Sequence, residues 1–238
     1  MHAGRAFKVV ASWLAGLILS FCLLLPLPAG RAQDFDVDLA LILAVDCSFS
    51  VDSQEFRLQM EGLGKAFMRP EVKQAIAQGQ RQRIAVAVVQ WSDEPNQKAV
   101  LPWTIVSGAA DADELGQILM SMTRDLAEGG TSISTALTYS AALFAAAPSA
   151  ERRVIDVSSD GRNNSGLPVK PVRDRLVANG ITINGLTILN EWPTLDTYFE
   201  NNVVGGTGHF VIPANDYEAF GEAIYRKLLR EITGPGIS

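Results

Sequence analysis

Residues 39–50 read "LALILAVDCSFS". Seven apolar residues, Leu39 to Val45, stop abruptly at Asp46, and Ser48 and Ser50 follow at a spacing of two. The uninterrupted apolar run predicts a strand buried on both faces. The polar residues after it then form a loop at the strand's carboxyl end, where open α/β sheets place their ligands. One carboxylate and two hydroxyls are hard oxygen donors. They suit Mg²⁺ or Mn²⁺ far better than zinc or copper.

Outward from this stretch, apolar strands alternate with amphipathic helices. Strands are predicted at Arg83–Trp91, Ala99–Val106, Arg153–Ser158, Ile181–Leu189 and Gly208–Ile212. With the first, they make six. Such alternation defines an α/β chain with a mainly parallel sheet and helices on both faces. The connection from Trp91 to Ala99 is too short for a parallel crossover, so the third strand is expected to be antiparallel at an edge. Pro102 within it favours an edge as well. Asp52 and Glu55 form a capping-box pattern before a helix carrying Phe56, Met60, Leu63 and Phe67 on one face. Asn215 and Glu218 are expected to cap a final helix with Tyr217, Phe220, Ile224 and Leu228 inward. Asp34, Asp36 and Asp38 alternate with apolar residues. Lacking a glycine turn and a distal glutamate, they read as a solvated strand edge and not a calcium loop.

Residues 1–32 have the anatomy of a secretory signal peptide, with Arg5 and Lys8 before an apolar stretch from Trp13 to Leu27. Small residues at Gly30 and Ala32 predict cleavage after Ala32. Of the 238 residues, 206 then remain as a single domain, 33–238, long enough for a full core. That domain carries 17 basic and 26 acidic residues, a net charge of −9. An acidic chain argues against nucleic-acid binding. Cys47 is its one cysteine, which excludes an internal disulfide framework; it reads as a small apolar residue facing away from the oxygen donors. His209, its one histidine, is expected in the last strand in a structural role. Trp192-Pro193 lies in a loop and is open to two roles, packing or partner contact.

Two further segments carry oxygen donors at strand ends or helix starts. Thr131 follows Gly129-Gly130 in "EGGTSIST", before a helix. Asp160 ends the strand "RVIDVSSD" and precedes Gly161. Each such residue alone is more often a cap or turn former. Asp46, Ser48, Ser50, Thr131 and Asp160 together can be gathered on one face of one sheet. Asn163 and Asn164 read as turn residues.

"DCSFS", "GGTS" and "SSDGRNN", in this order, resemble the metal-ion-dependent adhesion site of von Willebrand factor A (VWA) domains. The order of strands and helices matches as well, so the resemblance covers residues 33–238. It implies a three-layer, doubly wound, Rossmann-like fold. It further implies that Ser48 and Ser50 hold Mg²⁺ or Mn²⁺ directly, Thr131 directly or through water, and Asp46 and Asp160 mostly through water. "DLALILAVDCSFSVDSQEF", "QWS" and "VVGGTGHFV" are similar to a group of uncharacterised bacterial secreted proteins with a VWA-like domain.

A metal held largely by neutral hydroxyls keeps most of its charge and attracts another anion. The expected function is therefore a non-enzymatic binding module, exported to the periplasm or cell exterior. It would capture an Asp or Glu side chain of a protein partner through the metal. In VWA relatives engagement can be coupled to movement of the last helix, here Asp216 to Ile232. The alternatives are a metal-dependent, phosphatase-like hydrolase and a VWA scaffold with incidental metal. Aspartyl phosphatase chemistry wants a second carboxylate two residues after the nucleophile, where Ser48 stands. No G-x-S-x-G elbow or P-loop is present.

Overall fold

The computed structural model describes residues 36–234. The expected signal segment, its cleavage point and Asp34 lie outside them. Six strands form one sheet in the order β3-β2-β1-β4-β5-β6. They are β1 (Val37–Asp46), β2 (Ile84–Trp91), β3 (Gln97–Val106), β4 (Ala150–Ser159), β5 (Ile181–Ile188) and β6 (Val211–Ala214). All neighbours pair in parallel except β2 with β3. The helices are α1 (Ser53–Met68), α2 (Pro70–Gln78), α3 (Ala109–Ser121), α4 (Ile133–Leu143), α5 (Val169–Ala178), α6 (Leu195–Asn202) and α7 (Phe220–Thr233). The expected α/β fold, with helices on both faces and one antiparallel edge strand, is the fold observed.

All ten residues of β1 are buried because both its edges and both its faces are covered. Alternation sends Leu39, Leu41, Leu43 and Val45 to one core, where they meet Phe56, Met60, Leu63 and Phe67 of α1, Leu115 and Leu119 of α3, and Phe220, Ile224 and Leu228 of α7. Ile42 and Ala44 point the other way, towards Ile133 and Leu137 of α4, Val172 of α5 and Phe199 of α6. On the first face α1 and α3 approach closely at Gly64 and Gly116. A Cβ on Gly64 would overlap the Gly116 carbonyl and lie 2.5 Å from Met120 Cγ. At the sheet edge, Pro102 falls where the β2–β3 register breaks, between the pairs Val88–Leu101 and Val86–Thr104. A residue with no N–H to offer is tolerated at such an irregularity.

Four sequence expectations need correction. Asp38 is buried, because β1 lies at the centre of the sheet; its Oδ1 accepts the Arg81 amide at 2.8 Å. Asp36 alone of the described pair is exposed. The last strand begins at Val211 and not Gly208, since Gly206 and Gly208 adopt φ of +98° and +68° and turn the chain there. His209 therefore sits exposed in the turn, with Nδ1 2.8 Å from the Gly206 carbonyl oxygen. Finally, neither Asn215 nor Glu218 caps α7. Asp216 Oδ1 accepts the Ala219 amide at 2.8 Å, and the helix starts at Phe220.

Candidate metal centre

Because β1 and β4 are parallel neighbours, with Val45 opposite Ser158, their carboxyl ends open on the same side of the sheet. Asp46 ends β1 and Asp160 directly follows β4. The loop after β1 turns sharply: the Ser48 amide donates to Asp46 Oδ1 at 2.7 Å, and the Val51 amide to the Ser48 carbonyl at 3.0 Å. Asp52 then starts α1 with the expected reciprocal cap, its Oδ1 accepting from the amides of Gln54 and Glu55 while Glu55 Oε2 accepts from its own amide.

The hydroxyls of Ser48 and Ser50 lie 3.2 Å apart, and Ser50 Oγ donates to Asp160 Oδ1 at 2.7 Å. Thr131 comes in from the loop before α4. That loop is fastened at several points: Phe49 N to Gly129 O at 2.9 Å, Ser132 N to Ser92 O at 2.8 Å, and Asn164 N to Thr131 O at 2.9 Å. Asn164 Oδ1 also accepts the Thr131 amide, and Asn163 Oδ1 that of Ser134. The two asparagines thus tie the loop after β4 to the loop before α4, beyond simply turning the chain. Gly161 permits the approach, since a Cβ there would lie 3.3 Å from Thr131 Oγ1. The five sequence-predicted residues are therefore brought to one end of the sheet.

Two partners escaped the sequence reading. Ser159 Oγ donates to Asp46 Oδ2 at 2.5 Å, so both oxygens of Asp46 are engaged. Tyr217 donates its hydroxyl to Asp160 Oδ2 at 3.0 Å. A serine adjoining Asp160 in a buried strand was a usable signal for Ser159. Tyr217 is 57 residues from Asp160 and reads locally as an apolar anchor.

The electrostatics are those of a site short of positive charge. Burial, with the Asp160 carboxylate adding to it, pushes Asp46 up to about 7, against the hydrogen bonds from Ser159 and Ser48. Burial also raises Asp160, opposed by the bonds from Ser50 and Tyr217. The Tyr217 hydroxyl is raised by burial and by Asp160, and remains a donor. Cys47 belongs to the apolar core on the α1 side, and burial with the Asp46 charge pushes its thiol up to about 12. The expectation that Cys47 behaves as a small apolar residue holds.

The donors fit a hard divalent cation. Adjacent oxygens of an octahedron with Mg²⁺–O bonds of about 2.1 Å are separated by about 3 Å. The Ser48 and Ser50 hydroxyls, 3.2 Å apart, are close to that spacing. The described residues hold no cluster of three or more His, Cys, Asp or Glu side chains able to bind a metal. The candidate site instead combines two carboxylates with three hydroxyls. Ser50, Thr131 and Gly161 line an open cavity of about 430 Å³. A larger one, about 520 Å³ beside Arg152, Asn184 and Arg230, lies at the amino ends of β4 and β5 and contains none of the five.

Strand order, pairing and the position of this loop cluster define a VWA-type fold, and solved structures agree. Proximal thread matrix protein 1 from the mussel byssus, with a zinc-occupied MIDAS motif, superposes with a TM-score of 0.64 at 18% identity, covering 84% of this chain and 49% of that one. The SpaC pilus adhesin of Lactobacillus rhamnosus GG, in its open conformation, gives 0.59 at 13% identity over 84% and 30%. A von Willebrand factor type A structure from Catenulispora acidiphila gives 0.54 at 19% identity over 82% and 43%. The chain spans about half or less of the length of these structures, and at such identities the likeness is one of fold. No curated protein matches the sequence. The chain belongs to the family described as "Protein of unknown function (DUF1194)", matched over residues 36–236.

Proposed function

We propose that this protein is an exported, non-enzymatic binding module that holds Mg²⁺ or Mn²⁺ and captures an acidic side chain of a protein partner. Asp46, Ser48, Ser50, Thr131 and Asp160 would hold the cation. The observation that carries this reading is the pair of hydroxyls 3.2 Å apart, with Ser50 bonded to the Asp160 carboxylate and lining the cavity. When bound, the cation supplies a Lewis-acidic anchor for a carboxylate. The protein's own residues set that anchor's shape: Ser159 and the Ser48 amide hold both oxygens of Asp46, and Tyr217 holds Asp160. The zinc-occupied motif of the mussel protein supports a divalent cation in this fold. Hydroxyl donors favour the harder ions here. The adhesin among the structural neighbours supports a protein partner. Export rests on the sequence of residues 1–32; among the described residues no helix is long and apolar enough to cross a membrane.

A hydrolase is the weaker reading. Aspartyl phosphatase chemistry wants a second carboxylate two residues after Asp46, and Ser48 stands there, its amide bonded back to Asp46 Oδ1 at 2.7 Å. Calorimetric titration with Mg²⁺ and Mn²⁺, wild type against Ser50→Ala, tests the site. Binding at least about tenfold weaker in the variant is expected, and equal binding would overturn the assignment.

A further inference from the structure

The rim of the cleft is aromatic. Phe49 stands between the two serine donors in sequence and is 71% exposed. Trp192, from the loop after β5, is 45% exposed. Among the described residues four large apolar side chains are exposed, and these two line the same 430 Å³ cavity as Ser50 and Thr131. Trp192 is not a loose side chain. The Arg162 guanidinium lies 5.0 Å from its ring centre and is anchored by a 2.8 Å hydrogen bond to Thr194 Oγ1. Arg162 also approaches the Tyr198 ring at 5.6 Å. The cavity that Phe49 lines thus also holds a braced aromatic ring and the cation that braces it.

We propose that this rim selects the partner by sequence: it takes an extended protein segment in which the captured Asp or Glu is flanked by a large apolar residue, aromatic or branched aliphatic. This rests on the metal-dependent capture proposed above and specifies its ligand. A carboxylate reaching Ser50 and Thr131 must enter the cavity that Phe49 and Trp192 border. The side chain next to it on an extended segment then meets those rings. Exposed aromatic surface beside a polar anchor is the arrangement from which interface hot spots are made. Arg162 and Glu191 both line the cavity, and the aromatic-stacked Arg162 guanidinium is the one cation in that lining able to pair with the acidic segment.

The test uses fluorescently labelled peptides and the full-length protein with Mg²⁺. Acetyl-Gly-Phe-Asp-Phe-Gly-amide is compared with the same peptide carrying Ser in place of both Phe, and with one carrying Asn in place of Asp. Flanking the acid on both sides makes the result independent of chain direction. The Phe-flanked acid is expected to bind about tenfold tighter than the Ser-flanked one, equivalent to removing roughly 60 Å² of apolar surface from water. Trp192→Ala and Phe49→Ser should each reduce that preference to twofold or less. Trp192→Ala should leave Mg²⁺ affinity, read by calorimetry, as in the wild type. Equal binding of the two acidic peptides overturns the proposal, as does a preference that survives both substitutions. The underlying reading fails differently: binding that persists in chelator and tolerates Asn would remove the metal from capture while leaving the aromatic rim in place. Acidic peptides captured only with Mg²⁺, but without regard to their flanks, would keep the metal and remove the rim.

Discussion

At the scale of single residues, Asp46 changes meaning between sequence and structure. In the sequence it is the first polar residue after an apolar run. In the structure it is fully buried, and each of its oxygens accepts a hydrogen bond. It acts by holding the Ser48 turn and the end of β4, and its charge faces the cleft occupied by a second carboxylate. Asp46→Asn keeps the shape and removes the charge. Mg²⁺ affinity is expected to fall at least about tenfold by calorimetry, the usual scale for groups that orient metal ligands. Cys47, the next residue, makes a separate test. Its thiol is buried and pushed up to about 12, so the reactive thiolate is scarce near neutrality. Iodoacetamide at pH 8 should leave Cys47 unmodified in the folded protein, by peptide mass spectrometry, and modify it once denaturant is added.

At the scale of elements, two packing arrangements hold the cleft's supports. Helices α1 and α3 meet at Gly64 and Gly116, where no side chain fits between them. Gly64→Ala would force the helices apart and should cost on the order of 1–3 kcal/mol in chemical denaturation. Helix α7 is tied down by charge: Lys227 Nζ lies 2.6 Å from both Asp156 Oδ1 and Glu231 Oε1, all buried, and Asn184 donates to Glu231 at 2.9 Å. Lys227→Met leaves two carboxylates unpaired in the core, and such a break typically costs about 3–5 kcal/mol. With one ammonium for two acids, burial and Glu231 push Asp156 up to about 7 although Lys227 pulls it down. The sign follows from linkage. A carboxyl whose folded pKa exceeds its unfolded value of 3.8 adds stability that is full below 3.8 and is lost as pH rises through about 7. In chelator, denaturation midpoints should therefore decline between pH 4 and 7, and Asp156→Asn should flatten part of that decline. The amphipathic pattern of α7 was legible in the sequence. Its buried lysine and glutamate were not, because charged residues at helical spacing ordinarily lie on a solvated face.

At the scale of the whole molecule, the cleft joins the ends of β1 and β4 to the loop before α4, bringing together residues as much as 113 positions apart in sequence. A cation binding only the folded arrangement stabilises all of it together. At a concentration 100 times the dissociation constant the gain is about 2.7 kcal/mol. For a domain of this size that corresponds to roughly 5–10 °C in the melting temperature. Differential scanning calorimetry in Mg²⁺ and in chelator should show that rise, and Asp46→Asn should abolish most of it; an unchanged wild-type transition would contradict a metal-holding cleft.

The order of elements, the buried first strand and the antiparallel edge were determined by the sequence alone, as was the placing of five oxygen-bearing residues at strand ends and helix starts. They rest on local physics: hydrophobic periodicity, turn chemistry and the shortness of a connection, each readable within a few residues. Only the tertiary structure decided which partners hold those oxygens. Ser159 reaches Asp46 across 113 residues, and Tyr217 and Asn164 brace Asp160 and Thr131 from other loops. It also decided that Asp38 is buried and that Phe49 and Trp192 share one cavity. The physical reason is the same in each case. A side chain's bonding partners depend on which strand ends meet in space, and a local pattern carries no record of that meeting.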